Sequence, residues 1–206
     1  MRLYFVRHGE STANTERIIW SRDEGHPLTE TGRRQAQELA RSLKHIRFSQ
    51  VYCSPIQRAI ETGEILISEL DTALTIRNGL REIGMGELEG QSSQEAWQKH
   101  NELYRTWWTG EDLHARIPAG ESYAEAHERF VAEVQRISYG NQDGKNILVV
   151  SHGGILASML PGMMANLPDN YGYSHLLGNT AYVLVEKRGD QFYCLKWQDE
   201  CFNLPE

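Results

Sequence analysis

The chain has neither the long apolar runs nor the paired cysteines that would indicate a membrane protein or a disulfide-rich secreted fold. No stretch of its 206 residues approaches the ~18 consecutive apolar residues of a membrane-spanning helix. The N-terminus leads directly into a strand pattern, without a basic and then apolar signal segment. Its three cysteines, Cys53, Cys194 and Cys201, form no metal or redox motif. We therefore expect a cytoplasmic protein with reduced thiols and no membrane partner.

The chain also has little of the positive charge that a general nucleic-acid-binding protein needs. Its formal net charge at pH 7 is −7, so nucleic acid is not an expected partner. Residues 1–60 contain ten Lys and Arg against six Asp and Glu, whereas residues 61–206 contain eleven against twenty-two. Most of the early arginines are expected to form a solvated basic face, but the local context of Arg7 and Arg58 indicates another use.

What the sequence does contain is an alternation of short apolar runs and helical patterns, which is typical of α/β proteins. The 206 residues and 40% hydrophobic content suit one domain over residues 1–206. Apolar runs at 3–6, 50–53 and 147–150 have the composition of buried parallel strands. We predict a three-layer α/β/α sandwich with a mostly parallel central sheet. A helical cap insertion, over about residues 88–121, is expected at the C-terminal edge of the sheet.

Local signals predict where several elements begin and end. Residues 9–28 are expected to form a long loop, and the alternating segments 181–186 and 192–197 a terminal hairpin. Helix starts are predicted from N-cap residues and capping-box spacing at Thr29, at Ser54-Pro55, at the pair Ser92 and Glu95, and at the pair Ser122 and Glu125.

Two short motifs far apart in the chain predict one site. Arg7-His8-Gly9-Glu10 and Ser151-His152-Gly153-Gly154 each follow an apolar strand pattern. Because ligands of α/β sheets bind beyond the carboxyl ends of the strands, the two histidines are expected to face each other across a crevice. Arg58 lies one turn into a helix that begins at the same edge, so its side chain can point back towards that crevice.

These residue types suit the transfer of a phosphoryl group. A neutral His8 imidazole can attack phosphorus through one ring nitrogen while a hydrogen bond holds the other. The forked guanidinium groups of Arg7 and Arg58 match the oxygens of a phosphate. Gly9 is expected to let the backbone approach the ligand, and the N–H groups of Gly153-Gly154 start a helix whose dipole favours an anion.

Other interpretations of the same residues are less well supported. A histidine at a strand end is often only structural, and a nearby arginine often forms a surface ion pair. His8 and His152 could bind a metal ion, but no third ligand has metal-motif spacing and two arginines would repel a cation, so we expect no metal. The group that protonates the leaving oxygen is open at this point, because Glu82, Glu87 and Glu89 share one glycine-rich loop.

The site motifs belong to an ordered series that covers about residues 2–185. In chain order its segments are Arg7-His8-Gly9-Glu10-Ser11 with Asn14, Pro27-Leu28-Thr29 with Gly32 and Gln35-Ala36, Ser54-Pro55 with Arg58-Ala59 and Thr62, Leu80-Arg81-Glu82-Ile83 with Gly86 and Gly90, Gly120-Glu121-Ser122, and Ser151-His152-Gly153-Gly154. Each segment alone is weak evidence, but the ordered set is specific. It resembles the signature of the histidine phosphatase superfamily, also called phosphoglycerate mutase-like.

The resemblance implies roles for individual residues. His8 would become a phosphohistidine, and Glu82 would give a proton to the leaving oxygen and then activate water. The phosphoryl group would be held by Arg7, Asn14, Arg58 and His152. The implied activity is hydrolysis of a small phosphorylated metabolite, with neither a metal nor an organic cofactor.

One loop departs from the family pattern. The family often carries Gln-Gly and then Asp two residues before the proline that corresponds to Pro27. Here residues 20–26 read Trp-Ser-Arg-Asp-Glu-Gly-His, and Gly25 stands in the Asp position. The catalytic set is intact, so the departure concerns the choice of substrate.

The predicted cap distinguishes a phosphatase from a mutase. A mutase would need a longer cap with basic residues for a second phosphate, but residues 85–121 contain three basic residues, Lys99, Arg105 and Arg116, against seven acids. We therefore predict a phosphatase, with a phosphoglycerate mutase as the second candidate and a non-catalytic phospho-ligand-binding domain as the third. The aromatic residues that either line a leaving-group pocket or only pack are Trp97, Tyr104, Trp107, Trp108 and Tyr123.

Overall fold

A mixed sheet forms the middle layer of the protein. The computed structural model describes residues 1–139 and 144–204. Its strands are β1 (Arg2–Arg7), β2 (Phe48–Cys53), β3 (Leu74–Ile76), β4 (Asn146–Ser151), β5 (Tyr182–Arg188), β6 (Gln191–Trp197) and β7 (Glu200–Cys201). In the spatial order β3-β2-β4-β1-β5-β6-β7, the first four strands pair in parallel and the last three are added antiparallel. The antiparallel part makes the sheet mixed and contains the predicted hairpin.

Helices cover both faces of this sheet. They are α1 (Thr12–Thr15), α2 (Glu30–Leu43), α3 (Gln57–Leu70), α4 (Gln94–Trp108), α5 (Tyr123–Tyr139), α6 (Gly153–Met163) and α7 (Tyr171–Ser174), with 3₁₀ turns at Asn78–Leu80 and Gly86–Leu88. One core cluster joins the sheet to α2 and α3, and the other joins it to α4, α5 and α6. The predicted three-layer α/β/α sandwich is confirmed.

Strand β1 has apolar side chains on both faces of the sheet, so both faces need helices to bury them. Leu3 and Phe5 belong to the core cluster on the α5 and α6 side, and Tyr4 and Val6 belong to the cluster on the α2 and α3 side. All four are buried, because successive residues of a strand point to opposite faces and both faces carry helices. The polar residues that follow the strand therefore lie beyond the carboxyl ends of the strands, not on a face of the sheet.

Two of the predicted helix starts are confirmed. The Thr29 hydroxyl accepts the N–H of Gly32 at 3.0 Å, which caps α2. Ser122 and Glu125 form the predicted reciprocal capping box at the start of α5, with the Ser122 N–H donating to the Glu125 carboxylate at 2.9 Å and the Glu125 N–H donating to Ser122 Oγ at 3.3 Å.

The other two predicted starts were wrong in position. The α4 cap is Ser93, whose hydroxyl accepts the Ala96 N–H at 3.2 Å; with two serines in a row, the spacing to Glu95 selected the wrong one. Helix α3 begins at Gln57 after Ile56, not at Ser54-Pro55. The Ser54 hydroxyl forms a hydrogen bond with His152 instead of capping the helix.

Besides the two 3₁₀ turns, three short elements were not predicted. Helix α1 interrupts the segment 9–28 that was expected to be a loop, and α7 and β7 extend the C-terminal part. Elements of two to four residues are too short for a hydrophobic period to show. Across the parts of the chain that the structure describes, no helix combines the length and apolar character needed to cross a membrane.

Candidate active site

The carboxyl ends of β1 and β4 bring the two predicted histidines side by side. The strands pair in register up to Arg7 and Ser151, and the His8 backbone N–H then donates to the Ser151 carbonyl at 3.0 Å. The ring centroids of His8 and His152 are 5.2 Å apart, and both side chains are buried. Arg58, from the first turn of α3, donates its Nε–H to His8 Nε2 at 2.8 Å. The structure therefore brings together side chains from β1, α3 and the β4–α6 turn.

The hydrogen bonds of His8 determine its tautomer. Arg58 Nε can only donate, so His8 Nε2 must accept and carries a lone pair. His8 Nδ1 then holds the proton and donates to the Gly9 carbonyl at 2.7 Å. Burial, followed by the positive charges of Arg58 and Arg7, lowers the pKa of His8 well below the ordinary imidazole value. The imidazole is neutral at neutral pH, and its lone pair is on Nε2.

Ser54 determines which ring nitrogen of His152 is left without a partner. His152 Nε2 lies 2.7 Å from Ser54 Oγ, which already accepts the Ile56 N–H at 3.3 Å. The hydrogen of the buried Ser54 hydroxyl has no other acceptor among the described residues, so it is assigned to His152 Nε2, which leaves the His152 proton on Nδ1. Burial first, and then the charge of Arg58, lowers the pKa of His152 well below its usual value. His152 is thus a neutral donor through Nδ1–H.

Three buried nitrogen atoms at this edge have no hydrogen-bond partner among the described residues: Arg7 Nε, Arg58 Nη1 and His152 Nδ1. Buried polar groups are normally paired, so three unpaired N–H donors around one histidine indicate an anion site. The remaining nitrogens hold the arginines in place, because Arg7 Nη1 donates to the Leu177 carbonyl at 2.6 Å and Arg58 Nη2 to the Trp20 carbonyl at 2.9 Å. Burial lowers the pKa of Arg58 to about 10, which still leaves it charged at neutral pH.

Glu82 occupies the N-terminus of α6. Its carboxylate accepts the N–H groups of Gly154 at 2.9 Å and Ile155 at 2.7 Å, and also that of Ile83 at 2.9 Å. The sequence prediction that the Gly154 N–H would be free for a ligand was therefore wrong. The helix terminus does attract an anion, as expected from its dipole, but that anion is the protein's own carboxylate.

The structure distinguishes the three glutamates that the sequence left open. Glu82 lines the same cavity as His8 and Arg58. Glu87 is exposed and does not line that cavity. Glu89 accepts the N–H and hydroxyl of Ser21 and the Met85 N–H, so it anchors the loop that follows Trp20. Of these three glutamates, Glu82 is the one that lines the cavity beside His8.

Asn14 is held by a residue that the sequence gave no reason to select. The Asn14 carbonyl oxygen accepts the Ser11 N–H at 3.0 Å and the Asn179 side-chain amide at 3.3 Å. The same Asn179 amide donates to the His8 carbonyl at 3.1 Å. Because the oxygen of Asn14 is engaged, its own NH₂ group is left for the cavity that Asn14 lines. Asn179 lies in an irregular segment before β5, where no periodicity marks it.

The glycines next to the site make room for protein groups. A Cβ at Gly9 would lie 2.5 Å from the Gly32 carbonyl oxygen, and the Gly9 N–H donates to Thr62 at 3.1 Å. The predicted reason for Gly9, close approach to a ligand, is thus replaced by close approach to α2. Gly153 lines the cavity, where a Cβ would lie 3.2 Å from Arg7 Nε. Its small size lets the Arg7 guanidinium lie over the start of α6.

A cavity of about 1250 Å³ opens beside these groups, and α4 forms one of its walls. Three of the five cap aromatics that the sequence singled out line it, namely Trp97, Tyr104 and Trp108. Trp107 and Tyr123 do not line it, and the ring of the buried Trp107 packs 5.1 Å from the Tyr104 ring. Some of these aromatic residues therefore line the cavity, and others only pack.

Of the three basic residues of the predicted cap, Arg105 lines this cavity and Lys99 and Arg116 do not. Arg116 pairs with Glu125 at 2.9 Å, and Lys99 pairs with Glu95 at 2.8 Å. Arg105 lines the cavity, 3.8 Å from Glu111. No group of three or more His, Cys, Asp or Glu residues suited to a metal ion occurs within residues 1–139 and 144–204. Independence from metal stays a prediction.

Ser54→Ala is expected to lower kcat/KM about tenfold or more without unfolding the protein. The substitution removes the donor to His152 Nε2, so the proton can leave Nδ1, and an unpaired buried partner costs ~1–3 kcal/mol. Steady-state kinetics and thermal unfolding of this variant should be compared with Ser42→Ala, which removes a serine hydroxyl bonded only within α2 at 2.8 Å. A loss of less than twofold for Ser54→Ala would contradict the tautomer assignment.

Known proteins are similar to this chain in both sequence and fold. The family model of the histidine phosphatase superfamily (branch 1) matches residues 3–200. The adenosylcobalamin/alpha-ribazole phosphatase of Escherichia coli (strain K12) is 33% identical over 175 residues, covering 82% of this chain and 81% of that protein. Phosphoglycerate mutase-like protein 4 of Arabidopsis thaliana is 37% identical over 201 residues, covering 94% and 83%. The crystal structure of the alpha-ribazole phosphatase from Shigella flexneri has a TM-score of 0.79 at 26% identity and covers 100% of both chains. The chain belongs to branch 1 of the histidine phosphatase superfamily, and the predicted enzyme class, a histidine phosphatase, is confirmed.

Proposed function

We propose that the protein hydrolyses a phosphomonoester without a metal, through a phosphohistidine at His8 Nε2. The observation that carries the proposal is the set of three unpaired, buried N–H donors, on Arg7, Arg58 and His152, around a neutral imidazole lone pair. Donors fixed in advance and aimed at developing charge stabilise a transition state without reorganisation, and losing one typically costs ~10²–10³-fold in rate.

The proposed reaction has two steps. The His8 Nε2 lone pair attacks phosphorus, Arg58 Nε moves its hydrogen bond to a phosphoryl oxygen, and the bond to the leaving oxygen breaks with its electron pair. Glu82, which is protonated when the phosphate dianion is bound beside it, gives its proton to that oxygen, and the alcohol departs. Water then attacks the phosphorus of phosphohistidine 8 while Glu82 accepts a proton, the P–N bond breaks, and inorganic phosphate is released.

The cavity favours a substrate with a bulky, aromatic leaving group. Trp97, Tyr104 and Trp108 line the wall that a leaving group would contact, and the exposed Tyr173 and Leu176 extend the apolar surface at the rim. The volume of about 1250 Å³ exceeds what a three-carbon phosphate would fill. The names of the bacterial relatives point the same way, so we propose a nucleoside-like phosphate such as alpha-ribazole phosphate as the substrate class.

A substrate panel tests the class and the mutase alternative together. In the presence of EDTA, alpha-ribazole phosphate should show a kcat/KM at least about tenfold above that of glucose 6-phosphate, because aromatic contacts contribute ~0.5–1.5 kcal/mol beyond area burial. Given 3-phosphoglycerate and a trace of 2,3-bisphosphoglycerate, the protein should release inorganic phosphate or not react. Lys99 and Arg116 of the predicted cap are paired with carboxylates, so Arg105 is the one cap cation at the cavity, which is too few for a second anion clamp.

Trp97→Ala serves as the control of this panel. It should reduce the preference for the aromatic substrate and leave hydrolysis of glucose 6-phosphate within about twofold, since the Trp97 indole forms part of the cavity wall and lies outside the phosphate site.

Equilibration of 3- with 2-phosphoglycerate at ~10 s⁻¹ or more, with little phosphate released, would overturn the choice of phosphatase. Loss of activity in EDTA with recovery in a divalent cation would overturn metal independence.

A further inference from the structure

Arg129 on α5 uses its whole guanidinium group to hold the backbone that carries Glu82. Its Nη1 donates to the carbonyls of Gly79 and Arg81, each at 3.0 Å, and its Nη2 donates to the carbonyl of Glu82 at 3.1 Å. Among the described residues, the hydrogen bonds of Arg129 go to these backbone carbonyls and to the Glu121 carboxylate. Three carbonyls within four consecutive residues converge on one side chain, which fixes the path of the chain up to the glutamate.

Glu121 completes the arrangement from the other side of Glu82. Its carboxylate accepts Arg129 Nε at 2.6 Å and Nη2 at 2.7 Å, and also the Gly84 N–H at 3.3 Å. The Glu121 backbone N–H donates to the Gly84 carbonyl at 2.8 Å. The Arg129–Glu121 pair therefore holds the chain both before and after Glu82.

The packing at Gly79 leaves little freedom for this unit. A Cβ there would lie 2.4 Å from the Glu133 Cβ and 2.9 Å from the Arg129 carbonyl oxygen, so α5 lies directly against the 3₁₀ turn Asn78–Leu80. The Arg129 and Glu121 side chains are only 24% and 21% exposed. A bidentate pair with this little exposure holds its geometry better than the surface pairs of the same helix.

We propose that Arg129 is a positioning residue for proton transfer by Glu82, an inference that rests on the acid role proposed above. The Glu82 oxygens accept the α6 N–H groups, and these hydrogen bonds strengthen when the proton moves to the leaving oxygen and the carboxylate forms. The backbone anchor to Arg129 and Glu121 keeps the carboxyl group at the leaving oxygen while those bonds change. A bidentate guanidinium is required, because an ammonium group cannot reach both the carboxylate and three carbonyls.

The test is the leaving-group dependence of kcat/KM, which reports formation of the phosphohistidine. Arg129→Lys should lower kcat/KM about ten- to a hundredfold for an alkyl phosphate such as β-glycerol phosphate, as a small misplacement of a catalytic group does, and by no more than about twofold for p-nitrophenyl phosphate. Glu121→Gln should show the same selectivity and carries the test if Arg129→Lys does not fold. Arg136→Lys, a matched change on α5 at a residue whose side chain is 68% exposed, should leave both substrates unchanged.

A double-variant cycle separates positioning from general structural support. If Arg129 acts through Glu82, Arg129→Lys should add no further loss in a Glu82→Gln background. Equal losses for both substrates, or a full additional loss in that background, would overturn the inference while leaving the acid role intact. If Glu82→Gln alone showed no leaving-group selectivity, the acid role would fail, and the inference with it.

Discussion

His8→Ala is expected to lower phosphatase activity by roughly 10⁴- to 10⁶-fold, the range seen when an enzyme loses its nucleophile. The substitution removes the Nε2 lone pair that Arg58 and the Gly9 carbonyl hold in place. Among the described residues His152 does not replace it, because its Nε2 is bonded to Ser54 Oγ and its Nδ1 carries the proton. The fold should persist, because the position of residue 8 follows from backbone pairing between β1 and β4.

Rapid-quench labelling with a ³²P-labelled substrate measures this directly. The wild-type protein should take up label that is stable to base and labile to acid, as a phosphohistidine is, and His8→Ala should take up none. His45→Ala, which replaces an exposed histidine beyond the end of α2, is the matched control and should label normally. Turnover by His8→Ala comparable to wild type, or label retained in that variant, would place the nucleophile elsewhere.

The approach of the two histidines could be predicted because it follows from local patterns. A buried parallel strand is a short apolar run, and the polar residues that end such a run must emerge at the carboxyl edge of the sheet. Arg7 at the end of β1, His8 directly after it and His152 after β4 needed only this argument. The family signature added Glu82 and Asn14, which the periodicity of the chain could not select.

The hydrogen bonds that specify the chemistry could not be predicted, because their partners are far apart in sequence. Ser54 had good local signals for an N-cap, yet its hydroxyl lies 2.7 Å from a histidine 98 residues away. The Gly154 N–H had the signals of a ligand site, yet Glu82, 72 residues away, accepts it. In each case a local preference worth ~1 kcal/mol, for an N-cap or for a free helix terminus, was outweighed by a distant polar side chain that needed a hydrogen-bond partner: His152 in the first case and Glu82 in the second.

Glu82→Gln should show how the leaving oxygen obtains its proton. The amide keeps one oxygen to accept N–H groups at the start of α6 but has no proton to give. We expect kcat/KM to fall by ~10²–10⁴-fold for β-glycerol phosphate, whose alkoxide is a poor leaving group, and by less than about tenfold for p-nitrophenyl phosphate, whose phenolate needs little protonation.

The slope of log kcat/KM against leaving-group pKa is the decisive measurement, because general acid catalysis flattens this dependence and its loss makes the dependence steep. A series of substituted phenyl and alkyl phosphates should therefore give a shallow slope for the wild-type protein and a steep one for Glu82→Gln. Glu87→Gln, at an exposed position of the same glycine-rich loop, should keep the wild-type slope. Equal losses across the series for Glu82→Gln would remove Glu82 from proton transfer, and a steep slope for Glu87→Gln would assign the proton to a side chain that lies outside the cavity of His8 and Arg58.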